Sequence, residues 1–149
     1  MKGYLIDTNV ISTLAPRKKT FSPSFAHWLR QTDRDGLVFM SVVTLHELER
    51  GIERLDLRGA TAKAGELRKW LETVLVEFGG AFLPVDLPTA ALSGKLEARA
   101  IARGGNPGIG DALIAGTAHV NGLTVITENA RDFAMFGVCH LLPSQAASI

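Results

Sequence analysis

The chain has a single cysteine, Cys139. No internal disulfide can hold the fold, and a reducing compartment is the expected setting. No stretch approaches the roughly 20 apolar residues of a membrane-spanning helix, so no membrane contact is expected. Met1-Lys2 is followed by only a few apolar residues before Asp7, too few for a signal-peptide core. These absences make the cytoplasm the expected location. Neither sign of charge is in excess: 16 Lys and Arg against 15 Asp and Glu leave a net charge of +1. A polyanionic partner would therefore need a local basic patch. There is no internal repeat, linker or low-complexity run, and 149 residues suffice for a single domain with its own core.

What the chain does have is a set of short, wholly apolar segments separated by helical patterns. Tyr4-Leu5-Ile6 is too short and too apolar on both faces for an amphipathic helix, and suits a strand covered on each side. Asp7 then stands at its carboxyl end, the edge where open α/β sheets bind ligands. Val10 to Leu14 can make one or two helical turns closed by Pro16, and Arg17-Lys18-Lys19-Thr20 is a small basic loop, either a solvated connection or a phosphate contact. Ser22-Pro23 has the form of an N-cap with proline at the first helical position, and Phe25, Trp28 and Leu29 follow at helical spacing. Leu37 to Met40 is a second internal strand. A helix follows Ser41 to Thr44, with an apolar stripe of Leu45, Leu48, Ile52 and Leu55 and with Glu47 in its first turn. Thr61 to Glu77 reads as another helix.

Ala81 to Val85 is a third strand, with Pro84 pointing to an edge position. A helix is expected from about Thr89 to Arg103 after the Asp86–Pro88 cap. Gly110-Asp111 begins the next, Ala112 to Val120, whose small residues allow close packing. Leu123 to Thr127 and Val138 to Leu141 are the fourth and fifth strands, and the tail after Pro143 has no periodicity and is expected to be loose. Strands separated by helices call for a parallel sheet with right-handed crossovers.

That topology brings distant acids together. Asp7 ends the first strand, Glu47 lies at the start of the helix after the second, and Asp111 opens the helix before the fourth. If strands two and four flank strand one, all three converge on one cleft. Each has a plainer explanation. Asp7 and Asp111 can be N-caps, worth typically about 1 kcal/mol, and Thr44-Leu45-His46-Glu47 fits a capping box. Taken together, three carboxylates repel and raise one another's pKa, a state a divalent cation relieves. An all-oxygen set without His or Cys points to Mg²⁺ or Mn²⁺ rather than Zn²⁺. The glycines at 104–110 are not followed by Gly-Lys-Ser/Thr, so they make no P-loop.

Four motifs in order, Leu5-Ile6-Asp7-Thr8-Asn9-Val10, Thr44-Leu45-His46-Glu47-Leu48, Gly110-Asp111-Ala112-Leu113-Ile114-Ala115 and Val125-Ile126-Thr127-Glu128-Asn129, resemble the PIN-domain ribonucleases. More narrowly, the chain is similar to the VapC-type toxins of toxin–antitoxin pairs, including their FitB-like branch, over residues 4–142. The resemblance implies a three-layer α/β/α fold with four or five parallel strands in order 3-2-1-4-5. It implies an endoribonuclease that hydrolyses phosphodiester bonds with a metal-activated water. Asp7, Glu47 and Asp111 would be the metal acids, and Asn129 or Asp132 the fourth site residue. Thr8, Asn9 and Thr127 would support the carboxylates, while Arg17, Lys18, Lys19 and Arg131 would guide RNA. Homodimers and a cognate small antitoxin are the implied partners. The chain departs from the pattern at Glu128, where many relatives carry a basic residue, and at His46, where a small one is usual.

Two rival readings remain. One is a catalytically impaired module that keeps the fold only to bind an antitoxin. The other is a haloacid-dehalogenase-like phosphatase, which wants a second aspartate two residues after the first, where this chain has Asn9.

Overall fold

In the computed structural model, which describes residues 2–149, the Tyr4–Ile6 segment is strand β1 and lies at the centre of a five-stranded parallel sheet. Its neighbours are β2 (Val38–Ser41) and β4 (Thr124–Ile126), with Tyr4 opposite Val38 and Thr124, and Leu5 opposite Phe39 and Val125. β3 (Phe82–Leu83) and β5 (His140–Leu141) form the edges, giving the order 3-2-1-4-5. Pro84 follows β3 directly and has no N–H to give a further ladder bond, so the strand is shorter than the Ala81–Val85 run suggests.

Alternation along β1 divides the core. Tyr4 and Ile6 point into one cluster, built with α1 (Thr8–Ile11), α2 (Pro23–Arg34), α3 (Val42–Leu57) and α4 (Thr61–Phe78). Leu5 points into the other, built with α5 (Leu87–Ala102), α6 (Ile109–Asn121) and α7 (Ala130–Phe136). A strand with helices on both faces must be apolar on both, and Leu5 and Ile6 are fully buried. The result is a three-layer α/β/α fold. Among the described residues no helix is long and apolar enough to cross a membrane.

The proline-led caps form as their sequences indicate. Ser22 Oγ accepts from the Phe25 N–H ahead of α2, and Asp86 Oδ1 accepts from the Thr89 N–H ahead of α5. Two expectations need correcting. The tail after Pro143 is ordered, not loose. Pro143–Ala146 is a helical turn, α8, with Gln145 Oε1 accepting from the Leu142 N–H and Ala146 fully buried beside α2. One turn is too short to show periodicity, but a proline start and a single apolar anchor hold it. The second correction concerns α3. Its N-cap is Ser41, whose Oγ accepts from the Val43 N–H, so Thr44 begins no capping box and Glu47 lies in the second turn rather than the first.

Candidate active site

Asp7 leaves the sheet at its last rung. Its N–H still donates to the Ile126 carbonyl (2.9 Å). Its carboxylate is only 2% exposed and shares its oxygens between two jobs. Oδ1 accepts from the Thr8 N–H (2.8 Å) and so caps α1, while Oδ2 accepts from the Thr127 hydroxyl (2.7 Å), delivered by the neighbouring β4. Thr127 Oγ in turn accepts from the Asn129 N–H (2.9 Å). Capping is thus real for Asp7, but it occupies only one oxygen.

Glu47 reaches the same place from α3. Its Oε1 accepts from the Thr8 hydroxyl (2.7 Å), and Thr8 Oγ lies 2.9 Å from Thr44 Oγ. Asp111 arrives from the first turn of α6, where the free N–H groups and the helix dipole favour an anion. It is not a cap, because that position belongs to Gly108. Asp111 Oδ2 accepts from Asn129 Nδ2 (2.8 Å), and the same amide donates to Asp132 Oδ2 (2.9 Å). A single amide thus bridges Asp111 and Asp132, which brings both candidates for the fourth position to the cluster. Asn9 Oδ1 accepts from the Glu128 N–H (3.2 Å), bracing the β1 and β4 ends against each other.

The acids sense one another. Burial pushes the Asp7 carboxyl up to about 6, and the nearby Asp111 and Glu47 charges push it the same way, against the bonds from Thr127 and Thr8. Asp111 is also raised, first by burial and then by Glu47 and Asp132, with Asn129 opposing. Yet among the described residues no group of three acid, His or Cys side chains is placed so that it could hold a metal ion. Thr8 stands between Asp7 and Glu47, and Asn129 between Asp111 and Asp132. Mg²⁺ keeps several waters and takes only one or two carboxylates directly. An acceptor-only oxygen set at this looser spacing fits such a hydrated hard cation better than it fits Zn²⁺.

The basic residues are less concentrated than the sequence suggests. A groove of about 670 Å³ opens beside Thr8 and Glu47, and Arg17 and Lys18 stand on its rim, with Leu48, Ile52, Leu55, Leu67 and Trp70 along its walls. Arg17 does not turn to the acids; it pairs with Glu66 of α4 at 3.1 Å. Lys19 is exposed and outside the groove lining, and Arg131 is exposed on α7, one residue before Asp132. His46 is exposed and joins no part of the cluster. Sequence reasoning missed Thr44, fully buried yet linked to Thr8, and Gly110, where an added Cβ would lie 3.2 Å from Glu47 Oε2. Thr44 was hidden by its fit to a capping box, and Gly110 by the loop glycines around it.

A sheet with this order and an acid cluster at the end of its central strand defines a class, and the chain belongs to it: the PIN-domain family, whose model matches residues 4–137. Within that family it is homologous to the Toxin FitB of Neisseria gonorrhoeae, with 34% identity over 142 residues, 91% of this chain and 98% of that protein. The crystal structure of FitAcB from Neisseria gonorrhoeae superposes with a TM-score of 0.76 at 32% identity, over 95% of this chain and 98% of the other. DNA-bound VapBC from Salmonella typhimurium gives 0.76 at 25% identity, over 96% and 99%.

Proposed function

We propose that this protein is a Mg²⁺- or Mn²⁺-dependent endoribonuclease and the toxin half of a VapBC/FitAB-type pair. One observation carries the chemistry. Asp7, Glu47 and Asp111, from three separate parts of the chain, lie close enough that burial and mutual repulsion raise the Asp7 carboxyl to about 6. A bound divalent cation would relieve that repulsion and supply Lewis acidity towards a phosphodiester and towards water. Asp7 and Asp111 would hold it. Glu47, oriented by the Thr8 hydroxyl, would position the attacking water and receive its proton at Oε2, the oxygen that Thr8 leaves free. Thr127 and Thr8 fix the plane of the Asp7 carboxylate, Asn129 fixes Asp111 and Asp132, and Asn9 keeps the two strand ends in register.

The groove beside the acids gives a strand or a partner somewhere to lie, with Lys18 on its rim and Arg17 able to join on release from Glu66. Lys19 and Arg131 would contribute outer phosphate contacts. The toxin role is supported by homology to Toxin FitB and by the FitAcB and VapBC neighbours. A cognate antitoxin and a homodimeric state follow from the same reading.

Purified protein should cleave structured RNA when Mn²⁺ or Mg²⁺ is added and stop when the metal is chelated. Asp7→Asn and Asp111→Asn should each lower the rate by about 10³-fold or more, since each removes charge from the site that stabilises the transition state. A folded wild type that binds an antitoxin but leaves RNA intact at any divalent concentration would instead establish the impaired-module reading.

A further inference from the structure

We propose that Arg50, Arg54 and Arg58 on α3 form a track for the phosphate backbone of single-stranded RNA leading into the acid cluster; this rests on the endoribonuclease reading. α3 is not basic overall, because Glu47, Glu49, Glu53 and Asp56 balance its cations. Its charges are sorted by face instead. Glu49, Glu53 and Asp56 all turn to Arg68 of α4, at 3.7, 2.5 and 4.0 Å. Arg50 and Arg54 stand one residue on from Glu49 and Glu53, about 100° round the helix. Both are exposed, as is Arg58 at the helix end. Among the described residues none of the three arginines has an ion-pair partner.

The groove beside the acids gives the row its place. Glu47, Gly51 and Leu55 of α3 line it. The arginines come three residues after each of these, and residues three apart are neighbours on a helix surface. The row therefore forms the outer lip of the groove, starting within one turn of Glu47 and descending at about 6 Å per step. Helix stability alone gives no reason for it. Like charges four apart repel and weaken a helix. The dipole favours cations in the last turn, which accounts for Arg54 and Arg58 but not for Arg50 in mid-helix. A polyanion relieves that repulsion. The guanidinium fork takes phosphate oxygens in pairs, and a straight row of one sign that ends at a hydrolytic site suits a phosphate backbone. Such contacts fix the register of a strand without reading its bases.

The test is the salt dependence of RNA binding. A fluorescein-labelled single-stranded RNA oligonucleotide is titrated with Asp7→Asn protein, which does not cleave it, between about 50 and 200 mM salt. Adding Arg50→Gln, Arg54→Gln and Arg58→Gln together should weaken binding and make the slope of log affinity against log salt shallower by about 2, since each single-strand phosphate contact contributes about 0.7 to it. The melting temperature should hold or rise, because the repulsion along the row is gone. Arg34→Gln removes the same charge from the end of α2, which leads into the amino end of β2, the sheet edge opposite the acids; it should leave the slope unchanged. If the triple variant does not fold, Arg54→Gln alone should lower the slope by about 0.7. A folded triple variant with the parent slope overturns the track, and more pointedly so if it has lost a co-expressed antitoxin, which would make the row a protein surface. Wild-type protein that binds RNA through the row yet never cleaves it with Mn²⁺ upholds the track and overturns the nuclease reading beneath it.

Discussion

On one face of the sheet α6 lies so close to α5 that a methyl group on Gly116 would overlap Ser93 Oγ and come within 3.1 Å of the Thr89 carbonyl. On the other face α3, α4 and the segment from Thr8 to Lys18 surround a groove of about 670 Å³. The closed layer is made of small residues, Ala112, Ala115 and Ala118 among them, all buried. The open layer carries Leu, Ile and Trp side chains that line a wall without filling it. The acid site draws on both. Asp111 comes from the closed layer, Glu47 from the open one, and Asp7 from the strand between. The contrast suggests a division of labour: tight packing fixes half of the carboxylate set, while the looser half gives access.

The largest expected effect tests the strand between the layers. Asp7 titrates near 6 in the fold against 3.8 for an ordinary aspartate. Between those values the native state keeps a proton that the unfolded chain has lost, so stability falls as pH rises through this window. At 2% exposure no solvent discount applies, and a shift of about two units corresponds to roughly 3 kcal/mol. Asp111, also raised, acts in the same direction. Urea unfolding in a chelating buffer should therefore show wild type losing stability between about pH 4 and pH 7 relative to Asp7→Asn. Parallel profiles for the two proteins would mean that the central acid is not under strain.

A paired substitution addresses the layers directly. Gly116→Ala forces a methyl into the closed α5–α6 contact and should cost about 1–3 kcal/mol, net of the small gain from better helix propensity. Gly51→Ala lies in α3 on the groove, with nothing within 4 Å of the added carbon. It should stabilise by up to about 1 kcal/mol. The same chemical change thus carries opposite signs on the two faces. Thermal melts of both variants measure it, and matching signs would erase the distinction between the layers.

Much of this was legible from residue patterns. Tyr4-Leu5-Ile6 is apolar at every position because it is covered on both sides, and that placed Asp7 at a strand end. Ser22-Pro23 and Asp86 announced their helices because capping is a local interaction. What was not legible depends on which element lies opposite. Ser41 and Thr44 are both hydroxyl residues able to cap α3, and local sequence does not say that one hydroxyl is spoken for by Thr8, 36 positions away. Placing the cap three residues late put Glu47 in the wrong turn. The close approaches at Gly110 and Gly116 likewise exist only once α3 and α5 are in place. Arg17 read as a free cation because its acceptor, Glu66, lies on another helix.

That last pair provides the smallest and most discriminating test of the open layer. Arg17 holds a left-handed φ of 63°, which costs a non-glycine residue energy. It pairs with Glu66, which also lines the groove, but the two side chains are 83% and 43% exposed. Pairs this wet typically contribute no more than about 0.2–1 kcal/mol. Glu66→Gln should therefore change unfolding free energy by less than about 0.5 kcal/mol. It should also release Arg17 to meet phosphate, so RNA binding to the Asp7→Asn protein should tighten modestly and become more salt-sensitive. A stability loss well above 1 kcal/mol would show that the bridge is structural and that the groove is braced much as the opposite layer is packed.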